Sequence, residues 1–169
     1  MKVGILGGSF NPPHFGHLHI SNLAIKKLGL NQVWWIPTKK NTLKEARIYE
    51  GYVGRVKKCE ELISASPKLK IQQLDEIYSE RLVKKLKAKY PHIEFFWLMG
   101  ADNLGNLHRW ENFKNFISMI HLAIFSREKD LLKIKKTRAW HFVKHHKFSI
   151  FFTKNLDISS TELRKKLHA

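Results

Sequence analysis

Gly7-Gly8-Ser9-Phe10-Asn11-Pro12-Pro13-His14-Phe15-Gly16-His17 is the stretch on which the reading of this chain turns. Immediately before it, Val3-Gly4-Ile5-Leu6 reads as a short buried strand. Immediately after it, Leu18, Leu23, Ile25 and Leu28 recur at helical spacing, and Gly29 ends the run. The stretch is therefore a strand-to-helix connection at the first crossover of an α/β unit. Open α/β sheets bind ligands in the crevice beyond the carboxyl ends of such strands. Two glycines allow a close backbone approach, and amides at a helix N-terminus favour an anion. Pro12-Pro13 stiffens the loop and biases Asn11 and Pro12 towards extended conformations. His14 and His17 are three apart, so a helix starting near Phe15 lets both imidazoles face one anion.

Neither common phosphate-binding signature fits. The dinucleotide pattern G-x-G-x-x-G is absent, and no Gly-Lys-Ser/Thr follows the glycines.

Outward from this stretch, strand and helix patterns alternate. Gln32–Pro37 carries the apolar run Val33-Trp34-Trp35-Ile36 and leads into a basic loop, 37–44. Tyr52–Ala65 reads as an amphipathic helix with Val53, Val56, Cys59 or Glu60, and Ile63 inward. Leu69–Leu74 is a third strand. Ser79 caps a helix over Glu80–Tyr90, which Pro91 stops. Ile93–Met99 is the most apolar strand and belongs at the sheet centre. A helix follows over His108–Met119, then a strand at His121–Phe125. Lys129–Lys147 is basic and irregular, with room for a short helix; Phe148–Thr153 is the last strand. Ser159-Ser160-Thr161-Glu162 forms a capping box for a closing helix through Leu167. The expected fold is a Rossmann-like, doubly wound parallel sheet with helices on both faces, in one domain over 1–169.

Composition narrows the function classes. A hydrophobic fraction of 43% is that of an ordinary globular protein. A single cysteine, Cys59, excludes an internal disulfide framework and fits a reducing cytoplasm. No stretch approaches the roughly 18 apolar residues of a membrane span, and the N-terminus has no secretory-signal pattern. With 31 Lys plus Arg against 14 Asp plus Glu, the formal charge is +17. The basic residues are spread along the chain, so they read as a lysine-rich surface that attracts anionic nucleotides; a basic nucleic-acid-binding module is the reading of another class. His141, His145 and His146 lack cysteines or carboxylates at metal-ligand spacing, and Cys59 inside a helix reads as a small buried hydrophobe.

Two further stretches fall at expected strand or helix ends. Gly100-Ala101-Asp102-Asn103 offers a close-approach glycine and a carboxylate suited to a ribose hydroxyl. Ile158-Ser159-Ser160-Thr161-Glu162-Leu163-Arg164 puts hydroxyls and amides at a helix start with an arginine one turn on, a second anion site.

With these stretches in hand, GGSFNPPHFGH resembles the motif of the nucleotidylyltransferase superfamily, whose HxGH element holds nucleotide triphosphates. Within it, GADN followed by Leu107-His108-Arg109-Trp110 looks like the bacterial nicotinate-nucleotide adenylyltransferases. Ile158–Arg164 is similar to the family's ISSTxxR element, and Ser126-Arg127 to the arginine-bearing end of the next strand. The resemblance implies transfer of AMP from ATP to nicotinate mononucleotide, with Mg²⁺ carried by ATP. The acceptors nicotinamide mononucleotide and phosphopantetheine are the alternatives. It implies ATP contacts at Gly7, Gly8, Ser9, Phe10, His14 and His17, at Gly100 and Asp102, at Ser126 and Arg127, and at Ile158, Ser159, Ser160 and Arg164. His14, His17 and Arg164 are the implied catalytic groups. Lys44, Tyr78, Ser79 and Trp110 are the implied acceptor contacts. Two places depart from the family. Thr42-Leu43-Lys44 stands where Pro-His-Lys is usual, so only Lys44 carries over. The usual Ser-Tyr-Thr is reduced to Tyr78-Ser79 after a shortened loop. The oligomeric state is left open.

Overall fold

The structure, a computed structural model, describes residues 1–39, 51–127 and 130–153. Among them, β1 (Lys2–Gly8), β2 (Gln32–Pro37), β3 (Leu69–Ile71), β4 (Glu94–Gly100), β5 (His121–Ser126) and β6 (Phe148–Phe152) form one sheet in the order β3-β2-β1-β4-β5-β6. Every neighbouring pair is parallel. Between the strands lie α1 (Phe15–Leu28), α2 (Tyr52–Ile63), α3 (Ser79–Lys89), α4 (Ala101–Asn106), α5 (Phe113–Met119), α6 (Leu131–Lys135) and α7 (Trp140–Val143). The order of the strands reverses between β1 and β4. That junction is the topological switch point, where ligands bind in doubly wound sheets.

Side-chain alternation along the strands builds two cores. Leu6, Val33, Trp35, Phe96 and Leu98 point to the face covered by Ala24 of α1 and by Cys59 and Ile63 of α2. Val3, Ile5, Trp34, Trp97 and Met99 point to the other face, covered by Leu82, Val83 and Leu86 of α3 and by Leu104, Phe116, Ile117 and Val143 of later helices. Coverage of both faces explains why the strands read as nearly continuous apolar runs.

Several expected boundaries shift. β1 runs through Gly7 and Gly8, which pair with Ile36 and Pro37, so the motif's loop opens only at Ser9. α1, by contrast, starts at Phe15 as expected, and Gly29 closes it in a left-handed conformation (φ 63°). α2 turns Arg55, Val56, Cys59 and Ile63 inward, while Val53 is 79% exposed. β3 covers only Leu69–Ile71 of the expected Leu69–Leu74, because its last ladder bond is Gln72 N–H to the Trp35 carbonyl. Ser79 is the first residue of α3 and not its cap; Tyr78 holds that position, and the Glu76 carboxylate takes the amides of Ile77 and Tyr78. The helix expected over His108–Met119 is broken into a 3₁₀ turn (Leu107–Arg109) and α5, because Trp110 turns down onto Trp97 and Phe116. The basic stretch before β6 holds two short helices. The closing helix expected through Leu167 lies outside the described residues.

Candidate active site

His14 caps α1 from an extended conformation (φ −152°, ψ 168°). Its Nδ1 accepts the Gly16 amide at 3.1 Å, and Nδ1 of His17 accepts the His14 amide at 3.2 Å. The His17 amide donates to the His14 carbonyl at 2.9 Å. The two histidines thus form a reciprocal capping box. The amides of His14, Gly16 and His17, expected to face an anion, are used inside the motif. At the helix start, what the motif offers a ligand is the imidazoles themselves. A ring nitrogen that accepts a backbone N–H carries no proton, so each neutral ring holds its proton on Nε2. Two Nε2–H donors therefore sit side by side, with ring centroids 3.9 Å apart.

The wall behind them keeps His17 neutral. Phe10 lies 4.8 Å from the His17 ring and stacks on Trp35 at 5.0 Å; Trp35 meets His17 edge-on. Trp35 Nε1 donates to Ser21 Oγ, which donates to the His17 carbonyl, each at 2.8 Å. Burial, followed by the adjacent His14 imidazole, pushes the His17 pKa down to about 3. His14 is also lowered, by burial, with Asp102 acting in the opposite direction. Phe10, expected among the ATP contacts, is 1% exposed and belongs to this wall. Its φ of 46° costs about 1–2 kcal/mol for a non-glycine residue, which the buried ring offsets.

A pH prediction follows. Between the ordinary value of about 6.5 and about 3, the unfolded chain binds a proton at His17 that the folded chain does not, so this residue makes stability fall as pH drops through that window. Histidine ¹⁵N NMR should find His17 in the Nε2–H tautomer, without titrating, between about pH 5 and 8. A midpoint inside that range would contradict the dry pocket.

The end of β4 meets the motif from the other side of the switch point. Gly7 packs on Trp97: a Cβ there would come within 3.1 Å of the indole. Gly100 caps α4, and a Cβ on it would push the exposed Asp102 carboxylate aside. Asp102 is itself exposed and its charge is felt at His14, so the two strand-end loops share one crevice. Trp110 packs 6.0 Å from Trp97, on the same side. Arg81 connects Trp110's neighbourhood to Tyr78: its guanidinium lies 4.9 Å over the Tyr78 ring and donates to Glu111 at 2.9 Å.

Ser126 and Arg127 end β5, beside β4. Ser126 is buried, and its hydroxyl donates to the Arg127 carbonyl; the Arg127 guanidinium donates to Asp130 at 2.8 Å. Lys44, Ile158, Ser159, Ser160 and Arg164 lie outside the described residues. Among the described residues no cluster of three His, Cys, Asp or Glu could hold a metal. Burial pushes the Cys59 thiol up to about 12, which keeps it protonated and unreactive.

Sequence reading missed Arg55 and Arg81. Arg55 was legible in principle, since it shares a helical face with Val56, Cys59 and Ile63; a cation on an apolar stripe signals a buried partner. Arg81 carried no such signal, because its partners come from a different element.

The known proteins similar to this chain agree with one another. A family model described as cytidylyltransferase-like matches residues 5–166. A protein of Agrobacterium fabrum (strain C58), whose curated name is probable nicotinate-nucleotide adenylyltransferase, is 39% identical over 131 residues, covering 75% of this chain and 70% of its own. A protein of Ruegeria sp. (strain TM1040) with the same name is 36% identical over 151 residues, covering 87% and 79%. The solved structure of Plasmodium falciparum nicotinic acid mononucleotide adenylyltransferase complexed with NaAD matches with a TM-score of 0.77 over 97% of this chain and 82% of that one. At 19% identity that match speaks for the fold alone.

Proposed function

We propose that this chain, which belongs to the nicotinate-nucleotide adenylyltransferases of the cytidylyltransferase-like family, transfers AMP from ATP to nicotinate mononucleotide. A phosphate oxygen of the acceptor forms a bond to the α-phosphorus, the bond to the bridging oxygen breaks, and pyrophosphate leaves. The products are nicotinate adenine dinucleotide and pyrophosphate. Because the attacking oxygen is already ionised, the reaction needs no strong general base. Catalysis is then positioning plus stabilisation of charge on the α-phosphate and on the departing pyrophosphate.

The observation that carries this reading is the pair of neutral Nε2–H donors at the switch-point crevice. Both Nε2–H groups can donate to phosphate oxygens, and the Asp102 carboxylate in the same crevice suits a ribose hydroxyl. Arg164 and the Ser159-Ser160 hydroxyls are assigned to the leaving phosphates by motif. ATP-dependent transfer calls for a divalent cation, and we assign Mg²⁺. It takes oxygen ligands and keeps several waters, so a triphosphate and one or two carboxylates suffice without a protein cage. Asp102 is the carboxylate in the crevice that could contribute.

Turnover of Mg-ATP with a panel of mononucleotides, read as pyrophosphate release and as the mass of the dinucleotide, tests the assignment. A product from nicotinate mononucleotide supports it. Product only from nicotinamide mononucleotide or phosphopantetheine would move the chain to another acceptor, and none at all would remove the activity. Among the described residues no helix is long and apolar enough to cross a membrane. The charge of +17 should add only weak, salt-sensitive nucleic-acid binding, with dissociation constants of roughly 10⁻⁴ to 10⁻⁶ M at physiological salt. A sequence-selective nanomolar complex at that salt would favour a binding module instead.

A further inference from the structure

Arg55 stands on α2, well away from the motif in sequence, yet it is 2% exposed and its guanidinium reaches the β1–α1 loop. Nη1 donates to the Ser9 carbonyl; Nη2 donates to the Thr38 carbonyl at 2.9 Å and to the Lys39 carbonyl at 3.4 Å. The ring of Tyr52 lies 5.5 Å away. The Gly8 carbonyl is held from the same side, by the Thr38 amide at 2.9 Å and the Thr38 hydroxyl at 3.3 Å.

The consequence is directional. In a trans peptide the C=O and the following N–H point opposite ways. With the Gly8 and Ser9 carbonyls drawn back towards β2 and α2, the amides of Ser9 and Phe10 are turned the other way. The Ser9–Phe10 peptide also precedes the left-handed Phe10, whose ring backs His17. Arg55 thus fixes the Ser9–Phe10 peptide directly and, through the Thr38 carbonyl it holds, supports the residue that fixes the Gly8–Ser9 peptide; together these set the entry into the histidine motif.

We infer that Arg55 is a positioning residue for ATP: from behind the loop it holds Thr38 and the Ser9 carbonyl, which keeps the Ser9 amide turned towards the triphosphate and fixes the Phe10 wall behind His17. This rests on the adenylyl-transfer reading above. Arg55 touches no reacting atom. Its planar fork donates to several carbonyls at once, whereas a lysine ammonium is a single point charge on a different stem.

The test compares wild type with Arg55→Lys and Arg55→Gln. Kinetics are measured for both substrates, the affinity for α,β-methylene ATP is measured directly, and thermal melting reports the folded fraction. The expected result is a fall of about 10- to 100-fold in kcat/KM for ATP, the scale of a misplaced binding group. The analogue's affinity should weaken in parallel, while KM for the mononucleotide stays unchanged in the folded protein. Arg55→Lys should keep more activity than Arg55→Gln if the buried charge contributes. Analogue affinity and kcat/KM equal to wild type in both variants would overturn the inference. So would losses that follow the folded fraction and strike both substrates alike, which is what a purely structural residue would give. Should wild type transfer no AMP, the reaction assignment falls, and the analogue affinities still decide the role of Arg55.

Discussion

His17→Ala should lower kcat by at least about 100-fold with the fold intact, the scale of losing one preorganised donor to developing charge. The size follows from how little freedom the ring has. Its Nδ1 is occupied by the His14 amide, Phe10 and Trp35 cover its back, and Ser21 holds its carbonyl. The remaining Nε2–H is fixed in direction, and burial keeps the ring in the neutral tautomer that carries it. A donor fixed in this way costs no reorganisation when charge develops on the α-phosphate. Two further effects must be separated. Alanine frees the His14 amide and leaves a gap beside Phe10, so melting temperature is measured alongside kcat. His17→Gln supplies a side-chain N–H near the position of Nε2 and should recover part of the loss. A folded His17→Ala protein with near-normal turnover would remove His17 from the mechanism.

How much of this was legible in the sequence depended on how local the determinants were. β1, the motif and α1 were read nearly in place, because strand, loop and helix there are consecutive and Gly29 marks the stop. The parallel sheet followed from the alternation of patterns, and the central place of β4 from its apolar run. Tautomer and capping were not legible: they depend on the His14 Nδ1 and His17 Nδ1 bonds, which spacing alone permits but does not dictate. The phase of α2 was misread at Val53, because the inward face also carries Arg55, whose partners are backbone carbonyls of other elements. The break before Phe113 escaped because Trp110 leaves the helical path for a tertiary contact with Trp97, and Asn112 takes a left-handed conformation that no periodicity announces.

Nicotinate mononucleotide should be preferred over its amide by at least about tenfold in kcat/KM, or about 1.4 kcal/mol. The acid form carries a carboxylate where the amide form is neutral, and hydrogen bonds to an ionised acceptor are about twice as strong. We propose that the acceptor binds on the side of the crevice where Tyr78, Arg81 and Trp110 stand. Tyr78 caps α3 in an extended conformation, and Arg81 lies over its ring. The pairing of Arg81 with Glu111 cancels that carboxylate's charge, so it presents no uncompensated negative group to the ligand. Trp110 stands beside these groups with a face for the pyridine ring. Its replacement should strike the acceptor step and leave ATP binding nearly unchanged. Trp110→Ala also removes packing against Trp97 and Phe116; for this partly buried ring the stability cost stays below the roughly 3–5 kcal/mol of a fully buried tryptophan. Trp110→Phe, which keeps an aromatic face, therefore serves as the comparison: it should retain more kcat/KM for the acceptor than alanine does. Both mononucleotides are measured at saturating Mg-ATP, with wild type and the two variants side by side. Equal kcat/KM for acid and amide, or a preference for the amide, would sink the specificity and leave adenylyl transfer standing. A Trp110→Ala protein that stays folded and keeps wild-type kcat/KM for the acceptor would take the tryptophan out of the pocket.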